Sequence, residues 1–407
     1  MSLTISPTMA YADEKVRHGS FFAIADIPLY TFAVTLASLC TIIGIMWDIS
    51  WHTTIGRDAF LSPPHILIYT GAIFGGLFSG IQVLWNTFTA TPERKGTLVK
   101  VWGVFYSSLG ALFCIWGAVA MLTSAPFDDW WHNAYGLDVI ILSPPHSLLG
   151  LGMLFLQFGA CVSTSKYLNK TEDAGIATAQ LTRQKNILRV LFIIASASLI
   201  AMICILGTDY IDRRLQRNVI FYYVITTAML LFLPAFGREL RMRYGTTLIC
   251  LAYFFIIALT NWILQMVPAV PKLGPILNPV THLQALQFPI LLFIPALAVD
   301  YILQKSTAND WIKAALISVA FVLILLIIQY PLSGFLLESP LARNWFFGSE
   351  SWYYGASPDW KFRYAFQSND LSTLSQLITG LLVAIVIGFF VSRLSLRWGK
   401  WLQSIHR

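Results

Sequence analysis

An all-α, polytopic membrane bundle of about ten transmembrane helices is the fold this sequence predicts, and three observations predict it. Hydrophobic residues make up 57% of the chain and charged residues only 12%, whereas an average soluble chain is about 25% charged. The apolar residues come in runs of about 20, the length a helix needs to cross roughly 30 Å of hydrocarbon. Those runs are continuous rather than alternating, which excludes a transmembrane barrel. The mean hydropathy of +0.66 agrees.

Taken in order, the runs lie near 28–50, 65–88, 100–123, 144–165, 187–207, 217–237, 244–267, 285–304, 310–336 and 372–395. Residues 1–27 form a polar N-terminal segment with no small-residue cleavage site, so no removable signal peptide is expected. Residues 28–170 hold the first four helices, expected as two duplicated hairpins, and 171–336 hold further transmembrane helices. Residues 337–371 are dense in aromatics such as Trp345, Trp352, Tyr354 and Trp360. They are expected as an outer loop that lies as a lid at headgroup depth, where Trp and Tyr collect. Residues 372–407 supply the last helix and a basic tail.

Lysine and arginine set the orientation. With the N-terminus inside, 18 of the 27 fall on inner segments (among them Lys15, Arg94, Lys166, Arg238 and Lys400) and 8 on outer ones, with Arg189 near a helix start. The bias fits the positive-inside rule for a bacterial inner membrane protein with both termini cytoplasmic. The net charge of +7 then follows from topology, and nucleic acid is not an expected partner; the lipid bilayer is. All five cysteines (Cys40, Cys114, Cys161, Cys204, Cys250) lie in apolar runs without C-x-x-C pairing, as buried small residues do.

One motif occurs twice inside this apolar background. Asp48–Asp58 and Asp128–Asp138 both read D-x-x-W-H-x-x-x-G-x-D, and each is followed by S-P-P-H, ending at His65 and His146. Both copies fall on the outer side. Asp48 and His52, like Asp128 and His132, are spaced i, i+4 and share a helix face. Pro63-Pro64 and Pro144-Pro145 begin the next helix, where a first-turn proline sacrifices no hydrogen bond. An antiparallel hairpin then returns His65 beside Asp48 and His52, and His146 beside Asp128 and His132. Each set offers two nitrogens and a carboxylate and leaves coordination positions open, as catalytic metal sites do. A single interfacial histidine is commonly only a hydrogen-bonded anchor. Two copies at matched spacing argue for ligands, because ionisable groups in a membrane are costly and usually functional. Asp58 and Asp138 are expected as loop caps or as partners orienting the imidazoles, Gly56 and Gly136 as turn formers, and Trp51 and Trp131 as packing residues. A fainter echo appears at Asn261-Trp262 and Pro279–His282, with His282 placed at the start of the eighth helix. Asp209 and Asp212 occupy the equivalent loop between helices five and six.

The D-x3-H-x12-H spacing of Asp48, His52 and His65, in the context W-D-x-S-W-H followed by R-D-x4-P-x-H, resembles a copper site of the C subunit of particulate methane monooxygenase and ammonia monooxygenase. Asp128, His132 and His146 keep the N-x3-H-x13-H spacing of that subunit's second site. The resemblance covers roughly residues 25–170. It implies mononuclear copper at both sets, with the second set catalytic in activating oxygen to hydroxylate a small apolar or ammonia-like substrate. Asp128 stands where the family has asparagine, which adds negative charge and loosens the preference for copper over zinc or iron. The chain is also much longer than that subunit, and nothing in it resembles the cupredoxin-like domains of the B subunit.

Electrons for such a reaction have to come from a partner, such as quinol or another membrane subunit. A transition-metal or proton transporter with an outer capture site is the alternative from another class, and it expects carboxylates or histidines deeper in the helices. Haem held by His65 and His146 is a third reading, which leaves the other four residues without a role. The eight-histidine set of membrane di-iron desaturases is excluded, since the chain has seven histidines, and G-x-S-x-G and phosphate-binding glycine loops are missing.

Overall fold

The computed structural model describes residues 23–56, 59–136, 143–174 and 178–407. The chain is an all-α, multi-pass membrane protein. In order its helices are α1 (Leu29–Thr54), α2 (Pro63–Thr89), the short α3 (Pro92–Gly96), α4 (Leu109–Tyr135), α5 (Pro144–Asp173), α6 (Ala179–Leu206), the short α7 (Thr208–Ile211), α8 (Val219–Leu240), α9 (Gly245–Leu264), α10 (Phe293–Lys305), α11 (Asp310–Glu338) and α12 (Leu374–Gln403). Nine of these, all but α3, α7 and α10, are long and apolar enough to cross a bilayer. Two small antiparallel ribbons accompany them: β1 (Ala23–Ile24) with β2 (Ile27–Pro28), and β3 (Val99–Val101) with β4 (Phe105–Ser107).

Local chemistry sets the helix ends. Two prolines open α2 and α5 at positions that need no N–H partner. Ser108, Thr178, Asn218 and Asn309 cap α4, α6, α8 and α11 by accepting first-turn N–H groups, and Thr373 with Gln376 forms a capping box on α12. The first turn of α9 is capped from another element. Asp300 of α10 accepts the Thr246 and Thr247 N–H groups at 3.0 and 2.9 Å, a carboxylate at the positive end of the helix dipole.

The two N-terminal hairpins pack by close backbone approach. A Cβ at Gly117 of α4 would sit 2.6 Å from the Gly152 carbonyl of α5, so only glycine permits this α4–α5 contact. In lipid, where apolar burial does not drive helices together, such small-residue seams do. The five cysteines carry no disulfide, and all but Cys40 are fully buried. The core continues through Phe192, Tyr222, Phe236 and Phe321, each at most a few percent exposed.

Two expectations need correction. The third apolar run does not begin a helix at 100. Residues 99–107 form the β3–β4 ribbon, whose three-residue loop Trp102–Val104 has positive φ at Trp102 and Gly103 and closes with the Val104 N–H on the Val101 carbonyl. Helix α4 starts after it and runs on to Tyr135, well beyond 123, carrying Asp128 and His132 within the helix.

The larger correction is the eighth span, which is not a helix over 285–304. Only α10, 13 residues long, is helical, about 20 Å against the roughly 30 Å of the hydrocarbon core. The cause is Pro289, which removes an N–H and disfavours a helical Phe288. Irregular backbone at membrane depth is tolerated only when protein satisfies it, and here side chains do so. Ser50 of α1 donates to the Gln284 carbonyl (2.6 Å), and the Gln284 N–H donates to Thr54 Oγ1 (2.9 Å). The Leu286 N–H donates to Asn261 Oδ1 (3.1 Å), and the Ala285 N–H to Ser351 Oγ (2.8 Å). The aromatic segment between Glu338 and Leu374 lies over this stretch. Its Tyr354 carbonyl takes the Leu277 and Asn278 N–H groups, and its Phe346 carbonyl takes Trp262 Nε1.

Candidate metal centre

The end of the bundle that carries the repeated motif brings the predicted ligands together in two sets. In the last turns of α4, Asp128 Oδ2 lies 3.3 Å from His132 Nε2, and Asp128 Oδ1 lies 3.4 Å from Nε2 of His146, on the first turn of α5. One ligand atom from each of the three falls within 4.8 Å of the others, and among the described residues no other His, Cys, Asp or Glu group is gathered so. In the first set, Asp48 Oδ1 is 3.2 Å from His65 Nε2 while Oδ2 is 3.8 Å from His52 Nε2. Asp48 is thus flanked by two imidazoles in a wider arrangement than the second set.

Three observations show that these residues fit a metal ion. Two ligand atoms sharing one tetrahedral ion at about 2.1 Å stand roughly 3.4 Å apart, the spacing of both contacts to Asp128. Asp48 Oδ1 and Asp128 Oδ1 are buried and face only the His65 and His146 rings, and a buried carboxylate is costly unless positive charge, a metal ion or a protonated ring, offsets it. The imidazoles are also oriented from behind. His65 Nδ1 lies 3.0 Å from the Ala59 carbonyl and His132 Nδ1 3.3 Å from the Gly136 carbonyl. A carbonyl only accepts, so Nδ1 is the donor in each of these contacts and Nε2 is the nitrogen turned toward the carboxylate. Between each Nε2 and the carboxylate, either a metal ion or a ring proton bridges the two groups. This backbone orientation of a ligating histidine is the usual support of metal sites.

The motif glycines make the geometry reachable. Gly56 and Gly136, which end α1 and α4, have φ of +91° and +89°, and the Gly136 turn places its carbonyl behind His132. Trp51 packs with Trp47 around Ile55, Leu264 and Leu283, and Trp131 packs on Tyr135 at 4.6 Å between centroids. Asp58 and Asp138 lie outside the described residues. His282 is not at a helix start, as expected; it sits in the 265–292 loop, paired with Thr281 Oγ1 and bridged to Pro268. Asp212 is a loop cap, its Oδ1 accepting the Arg214 N–H at 2.8 Å. Sequence reasoning missed Ser50, Thr54 and Tyr354, which lock the first set under the interrupted span. Only the spacing of Ser50 and Thr54, one helical turn apart and both polar in an apolar run, signals them.

Comparison with protein-family models, with curated proteins and with solved structures gives no match to this chain.

Proposed function

We propose that this protein is a copper-dependent, monooxygenase-like membrane oxidoreductase that acts on a small substrate at Asp128, His132 and His146. The observation that carries the reading is the convergence of those three ligand atoms within 4.8 Å at the mouth of the second hairpin. Copper held there would supply an oxygen-binding, redox-active centre with open coordination positions. The chain's own residues do the rest. Asp128 neutralises charge, His132 is steered by the Gly136 carbonyl, and His146 is fixed by the start of α5. Asp48, His52 and His65 hold a second ion deeper under the loops. The reading places both sets on the periplasmic side and requires an electron donor of the quinol class or a partner subunit; the lysine and arginine bias supports that orientation.

Metal analysis of the purified chain combined with paramagnetic resonance tests the proposal. The expected result is stoichiometric copper with a nitrogen-coordinated signal that disappears in His146→Ala. Wild-type protein that takes up no transition metal overturns it.

A second reading, a transition-metal or proton transporter, draws support from the interrupted eighth span, since broken helices line the substrate sites of many transporters. Metal uptake into vesicles that is lost on His65→Ala would favour it over the oxidoreductase.

A further inference from the structure

Neither metal-ligand set uses the charged groups that gather beneath the aromatic loop. A cavity of about 240 Å³ lies there, walled by Asp212, Arg213 and Arg214, by the irregular backbone of the interrupted span with Gln287, and by Trp352 and Trp360 of the loop. Thr53, the residue after His52, also lines it, so the cavity borders the first set without containing it.

The polar groups of this cavity are only partly matched. Arg214 Nη2 donates to the Phe362 carbonyl at 2.7 Å, but its Nη1 is buried and has no acceptor. Gln287 gives Nε2 to Asp212 Oδ2 at 3.3 Å, and its Oε1 is buried and has no donor. Asp212 spends its other oxygen on the Arg214 backbone N–H, so it is not the partner of the free guanidinium nitrogen. Arg213 donates to Ser349 Oγ at 3.1 Å, and burial pulls its pKa below the ordinary arginine value while Asp212 acts against that shift. Two guanidinium groups and one carboxylate leave the lining with one net positive charge. Buried donors of charged groups are costly to leave unpaired, and ionisable groups at such a site are usually functional. The wall that carries Arg214 is aromatic. Trp352 and Trp360 stack at 6.0 Å between centroids, and the Arg214 guanidinium lies 4.7 Å over the Trp360 ring.

We propose that this cavity binds a small organic monoanion, a carboxylate that accepts from Arg214 Nη1, the guanidinium being held in place on the Trp360 ring. Gln287 Oε1 is left to accept from a hydroxyl or amide of the same molecule. The volume falls below the roughly 300–1,000 Å³ of drug-sized sites, so the ligand is metabolite-sized. The site goes beyond the metal reading and stands without it, because an interrupted span is where membrane proteins build ligand sites and the orphaned atoms here select an anion.

Calorimetric titration of benzoate into the chelator-stripped full chain tests the proposal, since without metal benzoate has no ligand position at the Asp/His sets. Saturable binding at least tenfold tighter than benzamide is expected. Arg214→Gln should weaken it at least tenfold, and so should Trp360→Leu, which serves if Arg214→Gln does not fold. Arg343→Gln, whose guanidinium lies on Tyr364 outside the cavity, should bind as wild type. Absence of saturable binding, equal affinity for benzamide, or wild-type affinity in a folded Arg214→Gln or Trp360→Leu protein overturns the proposal.

Discussion

The two copies of the motif differ less in sequence than in what covers them. At the first, Asp48 is 14% exposed and sits under a roof, with Ser50 and Thr54 bound to Gln284, the Ile55 carbonyl bound to the Lys272 N–H, and Tyr354 resting on Gly56. At the second, Asp128 is 28% exposed, twice as open, and among the described residues a Cβ at Gly136 would meet nothing within 4 Å. Its neighbouring aromatics Trp130 and Tyr135 face outward. A duplicated hairpin supplies the same three side chains twice, and the later helices cover one set more than the other. On the proposed reading, the closed copy would hold an ion and the open copy would exchange ligands on one.

The widest separation between the copies comes from removing a ligand. Asp128→Ala or His146→Ala should weaken metal binding at the second set by more than about 100-fold, since even supporting residues cost that much, while the first set keeps its ion. Metal titration with a competing chelator reads both affinities; equal loss at both sets would merge the two into one site. Chelation of the wild type at metal 100-fold above its dissociation constant should lower stability by about 2.7 kcal/mol, read as a fall in melting temperature.

A single substitution made in both copies probes the roof itself. Gly136→Ala meets only backbone strain, about 1–3 kcal/mol. Gly56→Ala adds a collision with the Tyr354 hydroxyl and with Leu273, a further cost of about 1–3 kcal/mol. Thermal melts in detergent should rank Gly56→Ala as the more damaging; the reverse order would mean that Tyr354 does not rest on Gly56. The smallest effect belongs to Ser50→Ala, which loses one hydrogen bond to Gln284, about 1 kcal/mol. Hydrogen exchange should show the α1 end opening locally with the α4 end unchanged.

How much of this was legible in the residues follows from the range of each interaction. The helices that cross the membrane are written in local apolar runs, and the ligand sets in i, i+4 spacing followed by Pro-Pro-His, so both could be read. The β3–β4 ribbon was hidden because Val99, Val101, Val104 and Phe105 run straight into the apolar helix after it. The interrupted span was misread although Pro289 stood in the middle of its run, because one proline is often tolerated, as Pro126, Pro234 and Pro331 are inside α4, α8 and α11. What distinguishes Pro289 is that Asn261, Ser50, Thr54 and Ser351 wait to bind the freed backbone, and those partners are remote in sequence. The different exposure of the two sets was equally unreadable, since the cover comes from 265–292 and from the aromatic loop.

The interrupted span also depends on its neighbours. A helix of α10's length preceded by bare backbone cannot leave water alone, because each unmatched peptide group would cost several kcal/mol in hydrocarbon. Its partners lie on α1, on α9 and in the loop after α11. This segment is therefore compatible with hydrocarbon only in the company of those partners. The same contacts close over Asp48, His52 and His65, so the cover of the first set and the solvation of the broken span are one structural event.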